Sequence, residues 1–304
     1  MKKFATILKI VISLAIILFL LRKANLAQSA AHLSGIRYSF ILFSIVFIVA
    51  GQFVRAQRLA VMVFGRLANR NFWNTMRIQM ISFLPGMITP AKVGELAKVY
   101  MLQAEMDVPT ARGLACFAAE RVFDLLALGP LAALGIFVLF RADLQISLAP
   151  GWAHIAALVA LAAASAAAVG LLWLRRRGVS LRDFRRTVTP ERIIEAALLS
   201  LLYWGIVFLE VWCFCKSALF DTPIWHPALV VPPALMSSLV PITFSGFGLR
   251  EAAMVILFQR PPIATSYERA LLISLMYDII GLGVPALMGG LFWVSGKSNG
   301  NAQD

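Results

Sequence analysis

Residues 84–98 read Leu-Pro-Gly-Met-Ile-Thr-Pro-Ala-Lys-Val-Gly-Glu-Leu-Ala-Lys, and they interrupt a long hydrophobic run. Proline removes a helix hydrogen bond and glycine weakens a helix interior. A charged side chain at the bilayer centre is expensive. A plain spanning helix is therefore excluded, and the chain must break here. At membrane depth, irregular backbone is tolerated only when it is buried in protein or lines a wet cavity. Residues 240–251, Val-Pro-Ile-Thr-Phe-Ser-Gly-Phe-Gly-Leu-Arg-Glu, pose the same problem again. The remaining sequence reads as scaffolding for two broken segments.

That scaffolding is of membrane grade. Of 304 residues, 60% are hydrophobic and only 14% charged, too few to cover a soluble protein of this length. The net charge of +13 would point to nucleic acid in a soluble domain. In a membrane chain it reads instead as lysine and arginine gathered in cytoplasmic loops, with no nucleic-acid partner. Cys116, Cys213 and Cys215 have neither metal nor disulfide spacing and read as small buried residues. His32, His154 and His226 fall in loops or at span edges. No catalytic set is legible, so neither an enzyme, a metal nor a cofactor is expected.

Along the chain, residues 1–21 carry three lysines and then an apolar run. A cleaved signal peptide is one reading; the length of the run and the Arg22-Lys23 pair that follows favour an uncleaved first span. A second span covers 38–54, followed by a basic stretch holding Arg55, Arg58, Arg66, Arg70 and Arg77. The first broken segment occupies about 78–102, and the span at 113–140 embeds Glu120, Arg121 and Asp124. The second half repeats this plan. It has spans at 152–174 and 193–215, the latter with Glu210 near its end, then a broken segment at 227–258 and a last span at 270–294 with Asp278. Glu95 and Glu251 are 156 residues apart, as are Pro85 and Pro241, and Asp124 and Asp278 are 154 apart. Polar landmarks at nearly one offset indicate a duplication. Residues 1–151 form the first membrane repeat, 152–296 the second, and 297–304 a polar tail.

Topology follows from the arginines. If both broken segments crossed, the arginine-rich loop at 175–192 would lie outside, against the positive-inside rule. If each enters and returns on one side, that loop and both termini are cytoplasmic. The fold class expected is an all-α integral protein of the cell membrane, with about six spanning helices plus two re-entrant broken segments in an inverted repeat, a recurrent transporter plan.

Thr89-Pro90 has the form of a helix start, with Thr at the cap and Pro at the first helical position. Ser245, Gly246 and Gly248 play the same part in the second segment. Two half-helix amino termini aimed at the centre would suit a phosphate or another anion. Gly94 and Glu95 belong to this substrate-binding set, and Lys92, Lys98, Arg250 and Glu251 complete it. A role for the glycines in close packing alone stays open. Glu120, Arg121, Asp124 and Asp278 form a charge network for gating or for structure; Arg121 and Asp124, three apart, share a helix face.

These residues resemble the lysylphosphatidylglycerol synthase transmembrane region family. The likeness is carried by Leu84-Pro85-Gly86 with Gly94-Glu95 and Lys98, by Glu120-Arg121-Val122-Phe123-Asp124, and by Pro241 with Ser245-Gly246-Phe247-Gly248-Leu249-Arg250-Glu251-Ala252. The resemblance implies a flippase-like membrane domain that moves lipids or lipid-linked headgroups between leaflets. Lys98 stands where the family more often has arginine. The best-known members add a soluble aminoacyl-transfer domain with no counterpart in this sequence, so lipid aminoacylation is not implied. A membrane lipid is then the expected substrate, and a separately encoded lipid-modifying enzyme the protein partner. The alternatives are a coupled transporter of a small solute, a membrane-embedded transferase acting on a lipid phosphate, and a non-catalytic partner of a lipid-modifying enzyme.

Overall fold

A computed structural model describes residues 2–25, 28, 32–65, 71–140, 189–238 and 242–300. The expected span at 152–174, nearly all of the arginine loop, the boundary between repeats and Pro241 lie outside them. Every regular element among the described residues is helical. Helix α1 is Lys2–Lys23, α2 Tyr38–Phe64 and α3 Phe72–Met87; a 3-10 turn follows at Pro90–Leu96, then α4 at Ala97–Met106 and α5 at Thr110–Phe140. In the second half α6 is Pro190–Ser217, α7 His226–Ser237, α8 Leu249–Phe258 and α9 Tyr267–Met276. The last runs directly into a π-helical segment, Tyr277–Leu282, and then α10, Gly283–Gly300.

Among the described residues, four stretches are long and apolar enough to cross a membrane: Tyr38–Phe64, Thr110–Phe140, Pro190–Ser217 and Tyr267–Ser295. Their outer faces carry exposed large apolar side chains, such as Leu198 and Leu201 on α6 and Leu287 and Leu291 on α10. Patches of this kind are a liability in water and the normal surface in lipid. Helix α2 runs ten residues beyond the expected end of its span. It closes only at Gly65, whose φ of 83° lets its N–H reach the Val61 carbonyl at 2.7 Å. Arg55 and Arg58, read from sequence as loop residues, therefore sit inside a helix and are buried.

Both broken segments are pairs of short helices folded against each other: α3 packs on the 3-10 turn and α4, and α7 on α8. The long contacts between halves are reciprocal. Helix α2 packs along α6, α3 along α10, and α7 along α5. The two outer contacts are made close by glycine. A Cβ on Gly135 of α5 would overlap the Leu229 carbonyl of α7, and one on Gly289 of α10 would overlap the Met80 carbonyl of α3. Gly289 follows Gly135 by the same 154 positions that separate Asp278 from Asp124. One apolar core, including Phe214 and Phe258, is built mainly by α6 to α9; a second, including Leu59, Ile78 and Leu102, is built mainly by α2 to α5.

Candidate functional site

The first break is fixed locally. Thr89 donates its hydroxyl to the Pro85 carbonyl at 2.7 Å and accepts from the Gly94 N–H at 2.6 Å, bridging the gap between α3 and the 3-10 turn. Gly94 has no room for a Cβ beside the Pro85 carbonyl, and Gly86 has none beside the Glu95 side chain. The tight crossing thereby drives Glu95 into the bundle, where it is 2% exposed. The Lys92 side chain lies outside the described residues.

Glu95 meets a cluster of charges drawn from three other elements. Arg121 of α5 donates to it, and Arg55 of α2 lies 3.6 Å away. Lys98 of α4 is 3.9 Å from Glu95 and donates to Glu120 of α5. Arg58 of α2 donates to Asp124 at 2.7 Å and to the Ser200 hydroxyl of α6 at 2.9 Å, and stands 3.8 Å from Glu120. The Trp204 indole N–H donates to Asp124 at 3.3 Å. Buried charges persist only when paired and hydrogen-bonded, and breaking such a pair costs more than never burying it. Aromatic faces add to the compensation: Arg121 and Lys98 both lie over Phe117, and Arg55 over Phe83 and Tyr203. In formal charge, the four cations Arg55, Arg58, Lys98 and Arg121 face the three carboxylates Glu95, Glu120 and Asp124, leaving one positive charge in excess.

The second break is organised differently. Ser245, Gly246 and Gly248 all have positive φ, at 53°, 84° and 88°. Two glycines accept this without strain, while the left-handed serine costs on the order of 1 kcal/mol. A hydroxyl from the first helix helps to hold the turn, since Ser13 of α1 accepts from the Phe244 N–H at 2.8 Å. At the start of α8 the Gly248 N–H donates to the Glu251 carboxylate, so this helix terminus carries its own anion. Arg250, 3% exposed, forms an ion pair with Glu251 at 2.9 Å and donates to Asp278 in the π segment. One arginine thus faces two carboxyl groups, which also hydrogen-bond to each other.

The first cluster borders a cavity of about 380 Å³ between α2, α5, α6, α7 and the π segment. Arg55, Arg121 and Asp124 line it from the first cluster, Ser245 from the second break, and Glu210, Tyr203 and Trp204 from α6. The rest of the wall is mostly apolar, including Phe47, Leu128, Val207 and Leu235. Of the two cations on its wall, Arg121 is the more exposed, with its side chain 34% accessible against 9% for Arg55. A small pocket joins the two broken segments, with Glu95 on one side and Ser245 and Arg250 on the other.

Of the residues singled out from sequence, Glu95, Lys98, Glu120, Arg121 and Asp124 come together in one cluster, and Arg250, Glu251 and Asp278 in the other. Thr89, Gly94, Gly246 and Gly248 shape the two turns. Sequence reasoning passed over Arg55 and Arg58, which continue the helical period from Gln52 and could have been found by extending α2 past Val54. It noted Glu210 without assigning it a role.

The sequence profile of the family described as Lysylphosphatidylglycerol synthase TM region matches residues 6–289. No curated protein and no solved structure matches the chain.

Proposed function

The chain belongs to the lysylphosphatidylglycerol synthase transmembrane-region family, and from that premise we propose that it is a lipid translocase, not an enzyme, moving a phosphate-bearing lipid or lipid-linked headgroup between leaflets of the cell membrane. One observation carries this reading: the cavity between the spans holds guanidiniums from a cluster with a positive excess, inside walls that are otherwise apolar. A volume of about 380 Å³ suits a headgroup and excludes a whole lipid, so the acyl chains stay in the bilayer.

In this reading the phosphate docks on Arg121, with Arg55 behind it. Arg is suited to the task because its planar fork grips phosphate bidentately and does not lose its charge. Arg250 is less suited, being committed to Glu251 and Asp278. The folded-back pairs α3–α4 and α7–α8 are the re-entrant elements of an inverted repeat, supported by the reciprocal packing of α3 on α10 and α7 on α5 and by the matched glycine contacts. Six crossings then place both termini in the cytoplasm.

The test is movement of headgroup-labelled phospholipid in proteoliposomes, run beside a thermal-stability measurement. Arg121→Gln is expected to slow movement at least tenfold, as loss of a charge-assisted contact of about 1.5–3 kcal/mol implies. Arg121→Lys, which keeps the charge without the fork, should fall between it and the native protein. A stable Arg121→Gln protein that moves lipid at the native rate overturns the assignment.

A further inference from the structure

Glu210 has no place in either cluster. It lies on α6, is 5% exposed, and lines the central cavity. Its Oε1 has no hydrogen-bond partner, and among the described residues no cation forms an ion pair with it. The same oxygen is packed against the π segment, where it occupies the place that a Cβ on Gly281 would need. The other charged and titratable groups on the cavity wall are Arg55 of α2, Arg121 and Asp124 of α5, Tyr203 of α6 and Tyr277 of the π segment; α7 and α9 present none to it. Both guanidiniums are already engaged with Glu95. An ionised Glu210 would thus be an uncompensated charge in the middle of the bundle, the arrangement that proteins avoid most strongly.

We infer that Glu210 is a proton-binding site that couples headgroup movement to a proton gradient. This rests on the translocase reading of the same cavity. In the resting state the carboxyl carries its proton and is neutral, which leaves Arg121 and Arg55 to attract an anion. When the cavity opens to a more alkaline side, the proton passes to water. The new carboxylate then adds negative charge to the wall of the cavity and repels the phosphate held there. Proton and anionic headgroup are therefore taken up together on the acidic side and released together on the alkaline side. The contact with Gly281 gives the event a route to the second broken segment, because Asp278 of the same π segment holds Arg250.

Two measurements test it. The first is infrared spectroscopy of the purified protein in nanodiscs, titrated through neutral pH, with thermal stability measured alongside. The native protein is expected to show, at neutral pH, a protonated-carboxyl C=O component that is lost in Glu210→Gln and shifted in Glu210→Asp, distinct from any absorption of the hydrogen-bonded Glu251–Asp278 pair. Glu210→Gln, an isosteric neutral side chain, should melt at the native temperature. A band that survives unchanged in Glu210→Gln, or a large fall in its melting temperature, overturns the assignment. The second uses vesicles of phosphatidylcholine and phosphatidylglycerol and a fluorescent phosphatidylglycerol probe placed in the outer leaflet. Inward movement should be faster with the outside acidic than at equal pH, and this difference should be lost in Glu210→Gln. A response to the gradient that persists in Glu210→Gln overturns the coupling. If the native protein moves no probe under any condition, it is the translocase reading that fails, and the infrared band alone decides the proton site.

Discussion

Lys98 and Glu120 show how far single residues depend on partners that are remote in sequence. Each is 2% exposed or less, and they meet between α4 and α5. Replacing Lys98 by Met should destabilise the protein by about 3–5 kcal/mol, because the buried Glu120 loses its hydrogen-bonded partner and keeps only the Arg58 guanidinium at 3.8 Å. Combined with Glu120→Gln, part of the loss should return, giving a coupling energy of roughly 0.5–3 kcal/mol in a double-mutant cycle of thermal stabilities. Strict additivity would show that the pair is not a unit. The sequence displayed the embedded charges but could suggest partners only along one helix. Arg121 and Asp124 are three apart, yet their separation is 4.0 Å, and each has a nearer partner on another element: Glu95 for Arg121, Arg58 for Asp124. Arg250 and Glu251, adjacent in sequence, do pair. Proximity across helices is a property of packing, and a single sequence does not contain it in readable form.

At the scale of elements, the breaks were the most legible part of the chain, because proline and glycine act through the backbone and need no partner to be recognised. Pro90 does open a helical turn behind Thr89, although that turn is 3-10 and the threonine hydroxyl reaches Gly94 instead of the first turn. The π segment was not legible. Tyr-Asp-Ile-Ile-Gly-Leu has ordinary apolar character, and its extra residue per turn is settled by what packs against it. The glycines separate into those that are needed and those that are not. Gly94→Ala is expected to lower the melting temperature sharply, since its Cβ meets the Pro85 carbonyl, whereas Gly129→Ala on α5, with nothing within 4 Å of its Cβ, should be neutral or stabilising by up to about 1 kcal/mol. Equal effects at the two sites, measured in the same detergent, would contradict the close crossing at the first break.

For the whole molecule, matched offsets of polar landmarks are the sequence's ground for proposing a duplication, while the packing of α3 on α10 and α7 on α5 needed coordinates. The orientation in the membrane is open to a two-sided labelling test. Cys116, Cys213 and Cys215 are all buried, which gives a quiet background for new cysteines. Ser180→Cys, in the arginine-rich loop, should react with an impermeant maleimide only after cells are permeabilised, and Asp221→Cys, whose parent side chain is 91% exposed, should react in intact cells. The opposite pattern would invert the topology. The buried arginines of α2 also set a condition on how the protein is made. Arg58 is synthesised 66 residues before Asp124 and 142 before Ser200, its two hydrogen-bond partners. At roughly 5–20 residues per second, that first interval alone is several seconds. During it the carboxy-terminal turns of α2 hold two guanidiniums without their counter-charges, while the apolar stretch 38–54 ahead of them is already suited to lipid. Those turns are expected to stay near the headgroups until α5 arrives with Glu120 and Asp124, so the charged end of α2 reaches its final depth only after the helices that neutralise it.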